Sequence, residues 1–508
     1  MTIEGPRWSL LLRMNFTSFH FVFFFFITLI LGHLLKGRPQ RIFLLAASYY
    51  FYGVFEPYYL ILILFSTAWD YLAGLAIDVR RKWEQGQIEQ GFIARFPAKF
   101  YLAGSVIINL ALLGYFKYTN FGIQILNDVH PLGNTMFAFP VESILLPVGI
   151  SFYTFQSMSY TIDVYRGVLK ARKDPVDFAL YVTFFPQLVA GPIVRATTFL
   201  EQLDTGYTIR KNDIIVGVTR IVVGFFRKLV LSDNLAPVVN QVFGNPSAYG
   251  VVDTWVASFA FGWQIYLDFA GYTDIARGVA RLFGYEFEIN FLYPMAAKNI
   301  TDHWSRWHIS LTTWIRDYVY IPLGGSRVGP IRTYVNIAIV WLATGIWHGA
   351  AYHFVAWGIW QFVMIAAHRM YTLSGWGDKL RNSGGLFYTI AARVFLFFCL
   401  SFGFIWFRAP DMLTANLMHG RLFGFENLND SFLFNGALWS HTALSHVKDY
   451  IWLLTLLWAY ELFFNKWQLE YFWKEENRGK LIAILIVMIY MVIAMTPAET
   501  PNFLYFQF

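Results

Sequence analysis

A single cysteine, Cys399, in 508 residues rules out an internal disulfide and any metal site built from a cysteine cluster. Charge is scarce as well: Asp, Glu, Lys and Arg together make up 14% of the chain, where a typical soluble domain carries about a quarter. Also missing are a Gly-x-Ser-x-Gly elbow, a phosphate-binding glycine loop ending in Lys-Ser or Lys-Thr, a His-Glu-x-x-His zinc pair and an Asp-x-Asp. A serine nucleophile of the chain's own, or a bound metal, is therefore not expected to carry its chemistry.

What fills the chain instead is apolar. Hydrophobic residues make up 57%, aromatics 20%, and mean hydropathy is +0.45, which describes an all-α polytopic membrane protein embedded in a lipid bilayer. The formal charge of +7 sits in short basic clusters between apolar runs, a pattern of topology rather than of nucleic-acid binding. Cys399 lies within the apolar run Val394 to Phe407 and is expected to pack passively.

The hydropathy pattern predicts roughly 11 spans, near 17–35, 41–55, 58–78, 99–116, 213–231, 251–270, 333–348, 350–370, 387–407, 449–464 and 480–496. The run Phe21 to Leu35 follows Arg7 and Arg13 without a convincing cleavage site and reads as a retained first helix. Leu145 to Tyr160, Phe178 to Val194 and the Trp-rich stretch Ile300 to Leu323 are apolar but interrupted, which suggests re-entrant elements, since broken backbone at membrane depth must be buried or line a cavity. If the basic clusters at Lys36–Arg41, Arg80–Lys99 and Lys474–Lys480 face the cytoplasm, both termini lie outside. Gly420 to Lys448 is the least hydrophobic long connection and is expected to be an exposed loop. With no internal repeat, residues 1–508 read as one integral domain whose motif-rich part is 145–371.

Two histidines stand out. His348 lies in Trp347-His348-Gly349 inside the apolar stretch Val335 to Met370, where an ionisable group is rare unless it faces a polar cavity or a partner. It is either a proton-transfer group or interhelical glue beside Gly345 and Gly349, whose spacing permits close helix approach. His308 lies in Arg306-Trp307-His308-Ile309-Ser310. There Trp304, Trp307, Leu311 and Trp314 recur at helical spacing, as in an amphipathic helix anchored at the interface. Asp268 and Asp274 are buried acids that either mark a polar cavity or pair with Arg277 and Arg281. Ser151, Tyr153 and Gln156 add polarity after the Pro147-Val148-Gly149 turn and are assigned to a tunnel wall.

Several segments together resemble the membrane-bound O-acyltransferase family, in its bacterial branch typified by the membrane component of alginate O-acetylation. They are Leu146-Pro147-Val148-Gly149-Ile150-Ser151-Phe152-Tyr153, Phe185-Pro186-Gln187-Leu188-Val189-Ala190-Gly191-Pro192, Tyr266-Leu267-Asp268-Phe269-Ala270-Gly271-Tyr272, Trp304 through Gly325, Trp347-His348-Gly349-Ala350 and Trp406-Phe407-Arg408-Ala409. The resemblance implies a ring of helices around a central tunnel, with His348 as the catalytic histidine and His308 as the second histidine of the site. It implies acetyl transfer from acetyl-CoA, a substrate and not a resident cofactor, to a polysaccharide, through an extracytoplasmic partner that docks near the C-terminal tail. Donor phosphates would then meet Arg227, Lys228, Arg306 or Arg327. Ser305 departs from the arginine that alginate-type members often carry. D-alanyl transfer of the teichoic-acid type shares the histidines; a transporter or flippase using Asp268, Asp274 and His308, or a non-catalytic scaffold of a secretion complex, are the readings from other classes.

Overall fold

The computed structural model describes residues 14, 16–55, 57–129, 144–206, 209–424, 447–467, 477–497, 501, 503 and 504. Every regular element among them is helical. The first helices are α1 (Phe19–Leu34), α2 (Arg38–Phe55), α3 (Leu60–Glu84), α4 (Ala98–Leu113), α5 (Thr119–Val129), α6 (Ile150–Arg166), α7 (Pro175–Thr183), α8 (Ala196–Thr205), α9 (Lys211–Phe225), α10 (Ala236–Gly244) and α11 (Val251–Leu282). There follow α12 (Ile300–Arg306), α13 (Ile309–Ile315), α14 (Pro330–His348), α15 (Tyr352–Leu373), α16 (Trp376–Arg408), α17 (Met412–Leu422), α18 (Val447–Trp467) and α19 (Arg478–Met495). Packing divides the chain into two compact units, Met1–Ile221 with Tyr272–Glu288, and Val222–Gly271 with Ile289–Phe508.

In the first unit α6 packs against α3 and α4 and is buried along nearly its whole length. A helix so enclosed must satisfy its polar groups internally, and so must its neighbours. Buried Asp70 on α3 accepts hydrogen bonds from Ser105 Oγ (2.5 Å) and Asn109 Nδ2 (2.8 Å) on α4. Asp177 on α7 is held by Arg41 Nη1 (2.8 Å) and Arg172 Nη2 (2.5 Å). The expected interruption after Leu145 falls before α6 rather than within it. Gly149 turns the chain at φ +77, where a side chain would be strained and a Cβ would lie 2.6 Å from the Leu188 carbonyl oxygen. The second interruption is real: α7 stops at Thr183, and residues 184–194 run on as buried, non-helical backbone.

The second unit is organised around an aromatic core that includes Trp263, Trp304, Trp307, Trp357, Phe404 and Phe407. α14 and α15 approach closely because Gly345 faces Gly358: a Cβ on Gly345 would lie 2.5 Å from the Phe354 carbonyl oxygen and 3.1 Å from Gly358 Cα. α16 is broken at Gly385, and its apolar part, Gly384–Arg408, is one of four described helices long and apolar enough to cross a membrane. The others are Pro57–Glu84, Ala98–Val129 and Arg478–Met495, while Phe19–Leu34 and Tyr450–Phe463 are shorter apolar helices. The chain is a helical membrane protein.

Three expectations change. The amphipathic stretch after Trp304 is not one helix but two short ones, α12 and α13, separated at Trp307 and His308; the predicted stripe of Trp304, Trp307, Leu311 and Trp314 is nonetheless buried throughout. Gly420 and Leu422 do not begin an exposed loop: they close α17, and Leu422 is in the core. Most of that expected loop, 425–446, lies outside the described residues. Finally, Arg277 and Arg281 do not pair with Asp268. Both engage Glu286, and Arg281 also pairs with Asp213, whereas Asp268, two turns or more away along α11, is claimed by Lys228.

Candidate functional site

His348 is the last residue of α14, before the extended Gly349. Its ring is 6% exposed and packs edge-on against three aromatic rings, Trp347 (4.8 Å between centroids), Trp357 (5.0 Å) and Phe407 (5.0 Å). It borders a small cavity lined also by His303, Gln361 and the indoles of Trp304, Trp307 and Trp357. The cavity measures about 10 Å³ for a water-sized sphere, close to the space of one water. A helix end brought by glycine contacts into an aromatic cage thus places an imidazole at a small, mostly apolar cavity whose polar lining includes His303 and Gln361.

His308 is held differently. It is the N-cap of α13 at φ 44, ψ 53, one of two described non-glycine residues in the left-handed region; Tyr293 is the other. Such a conformation persists only where the surroundings enforce it. The enforcing residue is Asn290, fully buried. Its side-chain oxygen accepts from His308 Nδ1 (3.2 Å), Ser310 N (3.1 Å) and Ser310 Oγ (2.9 Å), while its backbone carbonyl accepts from Ile309 N (2.9 Å). Because that oxygen only accepts, His308 carries its proton on Nδ1 and presents Nε2 as an acceptor. Phe269 and Trp347 flank the ring at 4.8 and 6.2 Å, so Trp347 lies between the two histidines.

Four cations were candidates for the donor's phosphates. Lys228 is buried between Asp233 (2.7 Å) and Asp268 (2.8 Å), and it also donates to the Pro501 carbonyl (3.1 Å), while Asp268 accepts from Leu504 N (2.9 Å). The Phe503 ring lies 4.8 Å from the same ammonium. Lys228 and Asp268 therefore anchor the C-terminal segment. Arg227 is buried beside Tyr460. Arg306 is tied to Asp302 (2.6 Å) and Asn465 (2.7 Å), and Arg327 is exposed. The structure places Ser151, Tyr153 and Gln156 within buried α6, and Asp274 half-buried on α11; all four belong to the first unit, the histidines to the second. Of the tail, residues 498–500, 502 and 505–508 lie outside the described residues.

Asn290, His303, Gln361 and Glu461 went unmarked in the sequence. Glu461 had a usable signal, an acid in the apolar run of α18. It is fully buried and accepts from Met295 N (3.1 Å) and Tyr266 Oη (3.3 Å). Asn290 had none, because one amide between apolar residues carries no spacing.

Residues 168–374 match the model of the membrane-bound O-acyltransferase family. The chain is similar to the probable alginate O-acetylase AlgI of Pseudomonas putida, with 38% identity over 81% of both chains. It is 29% identical to the peptidoglycan O-acetyltransferase of Helicobacter pylori over 82% of this chain and 80% of that protein. Identity to the teichoic acid D-alanyltransferase of Bacillus subtilis is 27%, over 52% of this chain and 69% of that one.

Proposed function

This chain belongs to the membrane-bound O-acyltransferase family, and on that premise we propose that it moves acetyl from cytoplasmic acetyl-CoA toward hydroxyl groups of an exopolysaccharide outside the cytoplasmic membrane, through an extracytoplasmic partner. The observation that carries this reading is His348, an ionisable group buried at the end of α14 in an aromatic cage beside a small enclosed cavity. Neutral His348 takes the proton of the attacking hydroxyl as the new ester bond forms at the thioester carbonyl. It returns that proton to the departing CoA thiolate as the carbon–sulfur bond breaks. His308, fixed by Asn290, orients the reacting groups near Trp347.

Acetyl is favoured because two relatives named as O-acetylating proteins align over four-fifths of the chain, whereas the D-alanyltransferase aligns over about half. Of the four candidate cations Arg327, after the glycine pair Gly324-Gly325, is the exposed one, and the donor phosphate is assigned to it on that ground. The test uses purified protein in nanodiscs with the outer partner and glycan, supplied either with acetyl-CoA carrying a labelled acetyl group or with a D-alanyl carrier protein. Labelled ester on glycan hydroxyls from acetyl-CoA alone supports the reading; ester formed only from the carrier protein replaces it with D-alanyl transfer. Gradient-dependent movement of solute without CoA release replaces it with transport.

A further inference from the structure

We propose that Glu461 is a positioning residue for His308, acting through the backbone segment 290–296. The inference rests on the acyl-transfer reading above, in which His308 orients the reacting groups. The two described non-glycine residues with left-handed backbone, Tyr293 and His308, belong to one paired unit. On one side of the break between α12 and α13, Leu292 N donates to the Arg306 carbonyl (2.9 Å); on the other, Ile309 N donates to the Asn290 carbonyl (2.9 Å). Between those bonds lie Trp307 and His308, and the Phe291 ring packs against both, at 5.3 and 6.3 Å between centroids. Residues 290–292 therefore fix where the helix stops and His308 turns.

The same segment is pinned at its other end. Tyr293, at φ 49, opens a single turn, Pro294–Ala296. The first N–H groups of such a turn have no partner within it. Pro294 has no N–H, and Ala296 N bonds the Tyr293 carbonyl (3.1 Å), so Met295 N is the donor left over. Glu461, fully buried on α18, accepts from it through Oε1 at 3.1 Å, while Oε2 accepts from Tyr266 Oη at 3.3 Å. Two further contacts hold the turn: the Pro294 carbonyl lies 3.2 Å from His303 Nδ1, and the Ala296 carbonyl accepts from Arg393 Nε at 3.1 Å. An acid in an apolar helix is costly and marks a functional position. Here its task is to pin a turn whose far end sets His308. Left-handed backbone at residues 293 and 308 persists only while the surroundings enforce it, so loosening one end releases the other.

CoA release is compared for full-length wild type, Glu461→Leu, Glu461→Gln, Arg393→Met and the Glu461→Leu, Arg393→Met double variant, in nanodiscs with partner and glycan. We expect Glu461→Leu to lower kcat by about 10- to 100-fold, the scale of a small misplacement of reacting groups, with KM for acetyl-CoA unchanged. Glu461→Gln, whose amide oxygen accepts from Met295 N, recovers most of the loss. Arg393→Met lowers kcat too, and the double variant loses less than the product of the single losses, because both act on one turn. Amide hydrogen exchange rises in 290–297 and 303–310 but not in α17. Wild-type kcat in folded Glu461→Leu overturns the proposal, and so do strictly multiplicative losses. An equal loss in the Leu and Gln variants with exchange raised throughout the chain overturns it as well, since that is general destabilisation. If Glu461→Leu does not fold, Arg393→Met decides alone, and unchanged exchange in 303–310 overturns the proposal. Should wild type release no CoA, the acyl-transfer reading fails by itself, and exchange in 303–310 still decides whether Glu461 positions His308.

Discussion

A non-glycine residue in the left-handed region costs about 1–2 kcal/mol, and His308 occupies it at φ 44 because three hydrogen bonds to the Asn290 side chain, one from its own Nδ1, leave the turn no alternative. Asn290→Leu is expected to destabilise the protein by about 1–3 kcal/mol, the cost of stranding buried polar groups, and to slow CoA release by more than tenfold. Asn290→Asp, which keeps the accepting oxygen, loses less of both. Thermal unfolding in detergent and the release assay check the pair, and equal behaviour of the two variants would show that the accepting oxygen is unimportant. Both histidines were legible in the sequence, His348 because an ionisable residue stands out at membrane depth and His308 through its Trp-rich motif. The side chains around them were not, since Asn290 and Gln361 carry no spacing signal and only the fold brings them to the histidines.

Among the helices, spacing proved readable where it reports close packing and misleading where one residue breaks the periodicity. Gly345 was expected to admit a neighbour, and it meets Gly358 and the Phe354 carbonyl. Gly345→Val should therefore force α14 and α15 apart, costing about 1–3 kcal/mol by overpacking and displacing His348, which is seen as a lower unfolding temperature together with lost CoA release. The Trp304 stripe read as one helix, because no periodicity reveals that His308 will leave the helical region. A second test lies at α17, outside the membrane spans. There Asp411 caps the helix by accepting from Thr414 N at 2.7 Å, and that bond holds its carboxyl below the usual aspartate range. A carboxyl depressed in the folded state contributes stability above its unfolded pKa, near 4, and the contribution is lost as pH falls below that value. Asp411→Ala should cost roughly 0.5–1 kcal/mol at neutral pH and less in acid, where the carboxylate is protonated, as thermal unfolding at the two pH values will report.

For the whole molecule, composition and hydropathy were enough to place the chain in a membrane and to make it helical, because both follow from the solvent that apolar runs require. The capture of the C-terminal residues Pro501 and Leu504 was not readable, since it depends on charges distant in sequence. Lys228, Asp233 and Asp268 form a buried cluster that binds the backbone at Pro501 and Leu504. Removing one partner of a buried pair strands the remainder, so Lys228→Met is expected to destabilise the protein by about 3–5 kcal/mol and to speed amide hydrogen exchange at Leu504, whose N–H is held by Asp268. The central claim remains that this aromatic-walled histidine performs acyl transfer. Its most direct test is the rate of CoA release from acetyl-CoA in a single turnover, with partner and glycan present, for wild type and a folded His348→Ala variant. A fall of about 10²- to 10⁴-fold, the usual contribution of a general base, is the predicted result; equal rates would contradict the account.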